Sequence, residues 1–147
     1  MQPKQLEVSR VAIGTSRILE IKAETPDVKT YRLQFLKPEL QKSYSFVPGQ
    51  YNMVGSPHIG EAPISLSSSP EEKEFFEHTI RAVGRVTSYL DSLKVGDTVT
   101  VRGPYGKGWP LQLLTGRDVV IMAGGTGIAP VKPVINYLVK KRELFKH

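Results

Sequence analysis

Hydrophobic and polar positions alternate along much of the chain. The clearest run is Val28 to Phe35, where Tyr31, Leu33 and Phe35 fall on one face and the Lys29 side lies opposite. Period-two alternation of this kind predicts a half-buried strand. Arg17 to Ala23 alternates less cleanly, because Ile18 and Ile21 are offset by three. Thr25-Pro26-Asp27 separates the two runs and supplies turn chemistry, so together they predict a hairpin. Met1 to about Thr15 carries little pattern and reads as an arm or a short lead strand. Val47-Pro48-Gly49-Gln50 is a turn that launches another strand through Val54.

The most informative stretch runs from His78 to Trp109, in a strand whose alternation starts at Phe76. Phe76, His78, Ile80 and Ala82 alternate with Glu77, Thr79, Arg81 and Val83, and Gly84 ends the strand. Thr87 and Ser88 can then cap a short helix on which Val86, Leu90 and Leu93 share a face. Val95-Gly96-Asp97 is a turn, Thr98 to Arg102 is a β-branched strand, and Gly103 to Pro110 is a glycine-rich loop. A glycine followed by a helix N-terminus offers free N–H groups and partial positive charge, which suits a phosphate. Arg81 and Arg85 flank that seat.

After the linker Leu111 to Arg117 the pattern changes type. Asp118 to Ala123 is a continuous apolar run, which predicts a strand buried on both faces of a parallel sheet. Gly124-Gly125-Thr126-Gly127-Ile128-Ala129-Pro130 follows, then an amphipathic helix carrying Val131, Val134, Ile135, Leu138 and Val139. Strand, glycine turn and helix form the phosphate-binding start of a doubly wound domain.

Composition narrows the picture. The chain has 147 residues with 11 prolines and 13 glycines, favouring a turn-rich β architecture over a helix bundle. The absence of cysteine excludes disulfides, thiolate zinc sites and cysteine-ligated iron–sulfur clusters within these residues and fits a reducing, cytoplasmic setting. His58, His78 and His147 are scattered without metal-ligand spacing, so no metal site is expected. No apolar run is long enough for a membrane span. The net charge of +6 suits a solvated basic surface or the steering of an acidic or phosphate-rich partner. No basic block interleaved with aromatics suggests nucleic acid.

Gly84-Arg85-Val86-Thr87, Leu93-Lys94-Val95-Gly96-Asp97, Gly103-Pro104-Tyr105-Gly106-Lys107-Gly108 and Ala123-Gly124-Gly125-Thr126-Gly127-Ile128-Ala129-Pro130 occur in that order. They resemble the ferredoxin–NADP reductase superfamily, in particular the gamma (flavin) subunits of NiFe hydrogenases and the electron-transfer subunits of dihydroorotate dehydrogenase. The resemblance implies an all-β six-stranded antiparallel Greek-key barrel with one short capping helix, followed by the first βα unit of a doubly wound α/β nucleotide-binding domain. Residues 1–112 would be the FAD-binding barrel and 113–147 the opening of an incomplete NAD(P)-binding domain. The implied protein is an NAD(P)H-dependent flavin oxidoreductase or electron-transfer subunit. It would pass electrons between NAD(P)H and an iron–sulfur subunit or ferredoxin through FAD.

The resemblance also implies a site. The superfamily places an Arg-x-aromatic-Ser/Thr element where this chain has Ala62-Pro63-Ile64-Ser65, so serine is kept while arginine and aromatic are absent. Ser65 would sit at the reactive flavin nitrogen N5, able to donate to it and to accept from its reduced N–H. Arg81 or Arg85 would replace the missing arginine at the pyrophosphate, beside Gly84, Val86 and Thr87. Gly103, Tyr105 and Gly106 would line the cofactor, although Tyr105 and Trp109 suit core packing equally well. Gly124, Gly125, Thr126, Gly127 and Pro130 would meet the nicotinamide nucleotide. A sheet with one parallel strand would expose Val119, Val120 and Ile121, so either further sequence or another chain is expected to complete it. Two other readings stay open at this point. One is a non-catalytic flavin-binding or docking module, and the other is a small barrel that binds a partner or oligonucleotide and holds no flavin.

Overall fold

The computed structural model describes residues 11–145, so the first ten residues of the expected N-terminal arm lie outside the described residues, as does His147. Six antiparallel strands form one sheet in the order β4-β3-β6-β1-β2-β5. The strands are β1 (Ala12–Thr25), β2 (Val28–Phe35), β3 (Tyr51–Ser56), β4 (Gly60–Ser65), β5 (Phe76–Arg81) and β6 (Thr98–Tyr105). Helix α1 (Pro38–Ser43) follows β2, α2 (Arg85–Ser92) follows β5, and α3 (Ile128–Lys140) ends the regular structure.

The hairpin is formed as the alternation predicts, with Ser16 opposite Phe35 and Thr25 opposite Val28. Strand β1 is much longer than its pattern suggests. Its register slips between Ile18 and Glu20 and again between Ala23 and Thr25. Each bulge shifts the side-chain phase by one and masks the alternation. Strand β6 crosses to lie between β1 and β3, which makes the topology a Greek key. It continues through Gly103 and Pro104 to Tyr105, past the expected stop at Arg102.

The sheet wraps around Ile18, Tyr31, Leu33, Phe35, Val54, Leu66, Phe76, Val99 and Val101, all buried. Phe35, Tyr44 and Phe76 pack with ring centroids 5.0–5.2 Å apart. Each such side chain contributes about 1.5–3 kcal/mol on burial. Leu90 of α2 adds to this core, and Val86 and Leu93 pack against it, so the predicted helix face is the one that docks.

The sheet closes only in part. Leu66, just past β4, bridges His78 of β5, and the Ser67 N–H donates to the Glu77 carbonyl at 2.9 Å. Above that point Gly60–Ser65 and Thr79–Arg81 have no ladder between them. The two strands part there, and the chain leaving β5 turns into α2 beside the opening.

The expected buried strand at Asp118–Ala123 is not formed: this stretch carries no ladder, and Val120 and Met122 are 85% and 89% exposed. Val119 and Ile121 do pack, lining a groove with Ile135, Leu138, Val139 and Phe145. The continuous apolar pattern needs neighbours on both faces, and α3 supplies one. A 3-10 turn at Gly125–Gly127 leads into α3, so glycine turn and helix are present as expected.

Candidate functional site

The opening between β4 and β5 has Ser65 at one end and the N-terminus of α2 at the other. Gly84, not Thr87 or Ser88, is the N-cap of α2, with φ −151° and ψ 179°. Thr87 lies at the third helical position and its Oγ1 reaches back, accepting from Gly84 N at 2.9 Å and Val83 N at 3.0 Å. The sequence expectation named the right residue for the wrong end of this interaction. Glycine brings no capping oxygen, so the N–H groups of Arg85 and Val86 have no partner among the described residues. A Cβ at Gly84 would meet no atom within 4 Å. Free N–H groups, a positive helix end and open space make a fitting seat for a pyrophosphate.

The two arginines stand differently. Arg81 is held by Asp27, Nε to Oδ2 at 2.6 Å. Hydrogen bonds from Thr25 and then from Arg81 hold the Asp27 carboxyl below its usual range. Arg81 faces a cleft of about 540 Å³ that it lines with Thr79, Gly125, Thr126, Ile128 and Lys132. The fold thus gathers Arg81 with the glycine loop. Arg85 is exposed, has no ion pair or hydrogen bond among the described residues, and lies over the start of β4, its Nη2 3.7 Å from the Cβ position of Gly60.

Strand β4 suits an open edge. Pro63 has no N–H to donate and sits where no outer neighbour asks for one. Ala62, Pro63 and Ile64 pair with Val54, Met53 and Asn52 of β3, and Ile64 packs against the core. Ser65 pairs with Tyr51, and Tyr51 pairs on its other side with Tyr105. The two tyrosine rings lie 5.8 Å apart. Tyr51, directly after the Val47-Pro48-Gly49-Gln50 turn, is the aromatic neighbour of Ser65 that the sequence expectation missed. Tyr105 Oη accepts from Arg102, which also pairs with Glu61 at 2.8 Å. The Ser65 hydroxyl has no hydrogen-bond partner among the described residues, whereas its carbonyl lies 2.9 Å from His78 Nδ1.

The glycines of the 103–108 stretch divide by role. A Cβ at Gly103 would land on Asn52 Oδ1, so this buried glycine makes room for a side chain of the barrel and does not open onto the site. Gly106 has φ +90° and its carbonyl accepts from Gln50 Nε2 at 2.8 Å. Gln50 Oε1 in turn accepts from Val47 N at 2.9 Å, so one buried side chain ties the turn before β3 to the end of β6. Trp109 packs on Gly49 and reaches the first turn of α3, its Nε1 donating to the Pro130 carbonyl at 3.2 Å.

A half-open barrel with a phosphate-ready helix end beside its edge strand is the architecture of a flavin-binding oxidoreductase domain. Residues 16–109 match the oxidoreductase FAD-binding domain family, and the chain belongs to it. It is 40% identical over 145 residues to the sulfhydrogenase 1 gamma subunit of Pyrococcus furiosus, covering 97% of this chain and 50% of that protein. It is 38% identical over 120 residues to a probable dihydroorotate dehydrogenase B (NAD(+)) electron transfer subunit of Methanocella arvoryzae, covering 82% of this chain and 41% of that protein. The chain therefore spans about half the length, or less, of these curated relatives. Among solved structures, an Amycolatopsis cytochrome P450 reductase superposes with a TM-score of 0.75 at 26% identity, over 91% of this chain and 41% of that one. A Neisseria gonorrhoeae ferredoxin NADP+ reductase with bound FAD and NADP shares the fold, with a TM-score of 0.75 at 24% identity, over 90% of this chain and 54% of that one.

Proposed function

We propose that this chain binds FAD along the opening between β4 and β5 and serves in electron transfer between NAD(P)H and an iron–sulfur partner. One observation carries the reading. A serine hydroxyl and a helix N-terminus, each without a partner among the described residues, sit at the two ends of the place where the sheet fails to close. Bound FAD would supply hydride acceptance and single-electron release. The residues do the rest. The Arg85 and Val86 N–H groups take the pyrophosphate and the Arg85 guanidinium offsets its charge. Thr87 stabilises the turn that presents them. Ser65 would donate a hydrogen bond from its hydroxyl to N5, or accept one from N5–H in the reduced cofactor, keeping its own proton. Tyr51 and Tyr105 wall the site on the β3 and β6 side and exclude water.

Gly125 and Thr126, with Ile128 and Ala129 at the start of α3, face Arg81 across the 540 Å³ cleft, which supports a nicotinamide nucleotide arriving from that side. Residues 1–112 act as the flavin domain and 113–147 as the start of the nucleotide domain. The exposed Val120 and Met122 support completion of that second part by further strands. The name of the Methanocella arvoryzae relative, an electron transfer subunit, supports an electron-transfer role.

The test is the visible spectrum of the purified protein, with identification of the released cofactor, followed by FAD titration of Gly84→Val. The new side chain has open space and extended backbone, so the fold should be unaffected while the phosphate seat is blocked. A colourless protein that takes up no FAD refutes the proposal, as does unchanged FAD affinity in the folded variant.

A further inference from the structure

We propose that His78 is a positioning residue for Ser65: the Ser65 carbonyl fixes its imidazole as the Nδ1–H tautomer, Asn52 and Tyr44 satisfy its other nitrogen in a buried row, and the Nδ1–H holds the Ser65 backbone so that the hydroxyl meets flavin N5. The inference rests on the reading of Ser65 given above. Tyr44 Oη lies 2.9 Å from Asn52 Oδ1, Asn52 Nδ2 lies 3.1 Å from His78 Nε2, and His78 Nδ1 lies 2.9 Å from the Ser65 carbonyl. Asn52 and His78 are fully buried and Tyr44 is 7% exposed.

Only one arrangement of protons satisfies this row. The Ser65 carbonyl can accept and nothing else, so Nδ1 must carry the proton. Burial drives the imidazole pKa down to about 4, so the ring is neutral and Nε2 must accept. Asn52 must then present its amide nitrogen to His78 and its oxygen to Tyr44, which must donate. Burial also raises the Tyr44 phenol pKa, which keeps that proton in place. The polarity of the whole relay follows from the one group in it with no choice.

The position of the relay gives it a purpose. Strand β4 parts from β5 immediately after the Leu66–His78 bridge, so at Ser65 the ladder ends where the site begins. The His78 side chain supplies to the Ser65 carbonyl the donor that a continued ladder would have supplied. The glycine at 103 belongs to the same device, since any side chain there would displace Asn52 Oδ1. Phe76, edge-on at 5.8 Å, and Leu66 seal the imidazole from solvent.

The test compares His78→Asn with His78→Gln. The asparagine amide nitrogen falls near the place of Nδ1 and keeps the bond to Ser65, whereas the glutamine nitrogen falls near that of Nε2 and loses it. Two readings are taken: the histidine ring nitrogen shifts of the FAD-free parent by NMR, and the ratio of affinities for oxidised and reduced FAD, obtained from the midpoint potential. The parent should show a protonated Nδ1 and an unprotonated Nε2. The glutamine variant should change the affinity ratio by about five-fold, the equivalent of roughly one hydrogen bond, and the asparagine variant should leave it near the parent value. Equal effects in both variants, or none in either, overturn the positioning role. Should these variants fold poorly, Tyr44→Phe decides the relay, because polarity set at Ser65 leaves the tautomer unchanged, and a proton on Nε2 there overturns the inference. A parent that binds no FAD refutes the functional reading and the N5 role with it, while the nitrogen shifts still decide the relay.

Discussion

Replacing Arg85 by alanine should weaken FAD binding by about 10- to 150-fold, and replacing Arg81 should weaken it by no more than about five-fold. The difference follows from what each guanidinium is already doing. Arg85 is exposed at the first turn of α2 and has no partner among the described residues, so a phosphate would be its first. A charge-assisted bond of that kind contributes about 1.5–3 kcal/mol, which sets the 10- to 150-fold range. Arg81 would have to leave Asp27, 2.6 Å away, to make the same contact, and the exchange of one partially solvated partner for another gains little. The assay is a fluorescence titration of FAD into each variant at two salt concentrations, with circular dichroism to check the fold. The parent and Arg81→Ala should lose affinity as salt rises, and Arg85→Ala should respond less steeply because a phosphate contact has been removed. The assignment is refuted by an Arg85→Ala protein that binds as the parent does, or by an Arg81→Ala protein that loses as much.

Three further outcomes are expected. Gly103→Ala should lower unfolding free energy by about 1–3 kcal/mol in urea denaturation, because its new methyl meets Asn52 Oδ1 in a filled interior; equal stability would mean that Asn52 moves freely. His78 has a folded pKa near 4 against an ordinary 6.5, so the folded state takes up its proton later than the unfolded chain as pH falls. Its contribution is therefore complete above pH 6.5 and is lost on the way down to about pH 4, by roughly 3 kcal/mol, and His78→Asn should flatten that part of the stability–pH curve; parallel curves would refute the burial-driven shift. Amides of residues 118–123 should exchange within the fastest class while those of β1 and β6 are slow, since no backbone hydrogen bond among the described residues engages these N–H groups; slow exchange there would mean that the segment has found a strand partner.

The legible parts of this sequence were those whose physics is local. The β2 alternation, the β1–β2 turn and the apolar face of α2 each follow from residues a few positions apart, and each is found. The length of β1 was hidden because two bulges break its phase. Asp118–Ala123 carried a true pattern for burial on two faces, yet pattern alone does not provide the neighbours. The site was legible as motifs and obscure as contacts. Ala62 showed that an arginine was missing, but only the Arg81–Asp27 pair separates the two replacements. His78 looked like one more inward strand residue, and nothing near it in sequence announces Asn52, 26 positions away, or the carbonyl of Ser65.

Trp109 joins three places that the sequence keeps far apart. Its N–H donates to the Pro48 carbonyl at 2.8 Å, its ring lies against Gly49, and its indole N–H holds Pro130 at the start of α3. It works as a hinge pin. Any swing of α3 relative to the barrel must either release the indole or drag the Val47–Gln50 turn with it. That turn carries Gln50, which grips Gly106 at the end of β6, next to Tyr105. The aromatic wall beside Ser65 is thus geared to the angle of α3, and an opening motion on one side of the protein would be felt as a loosened wall on the other.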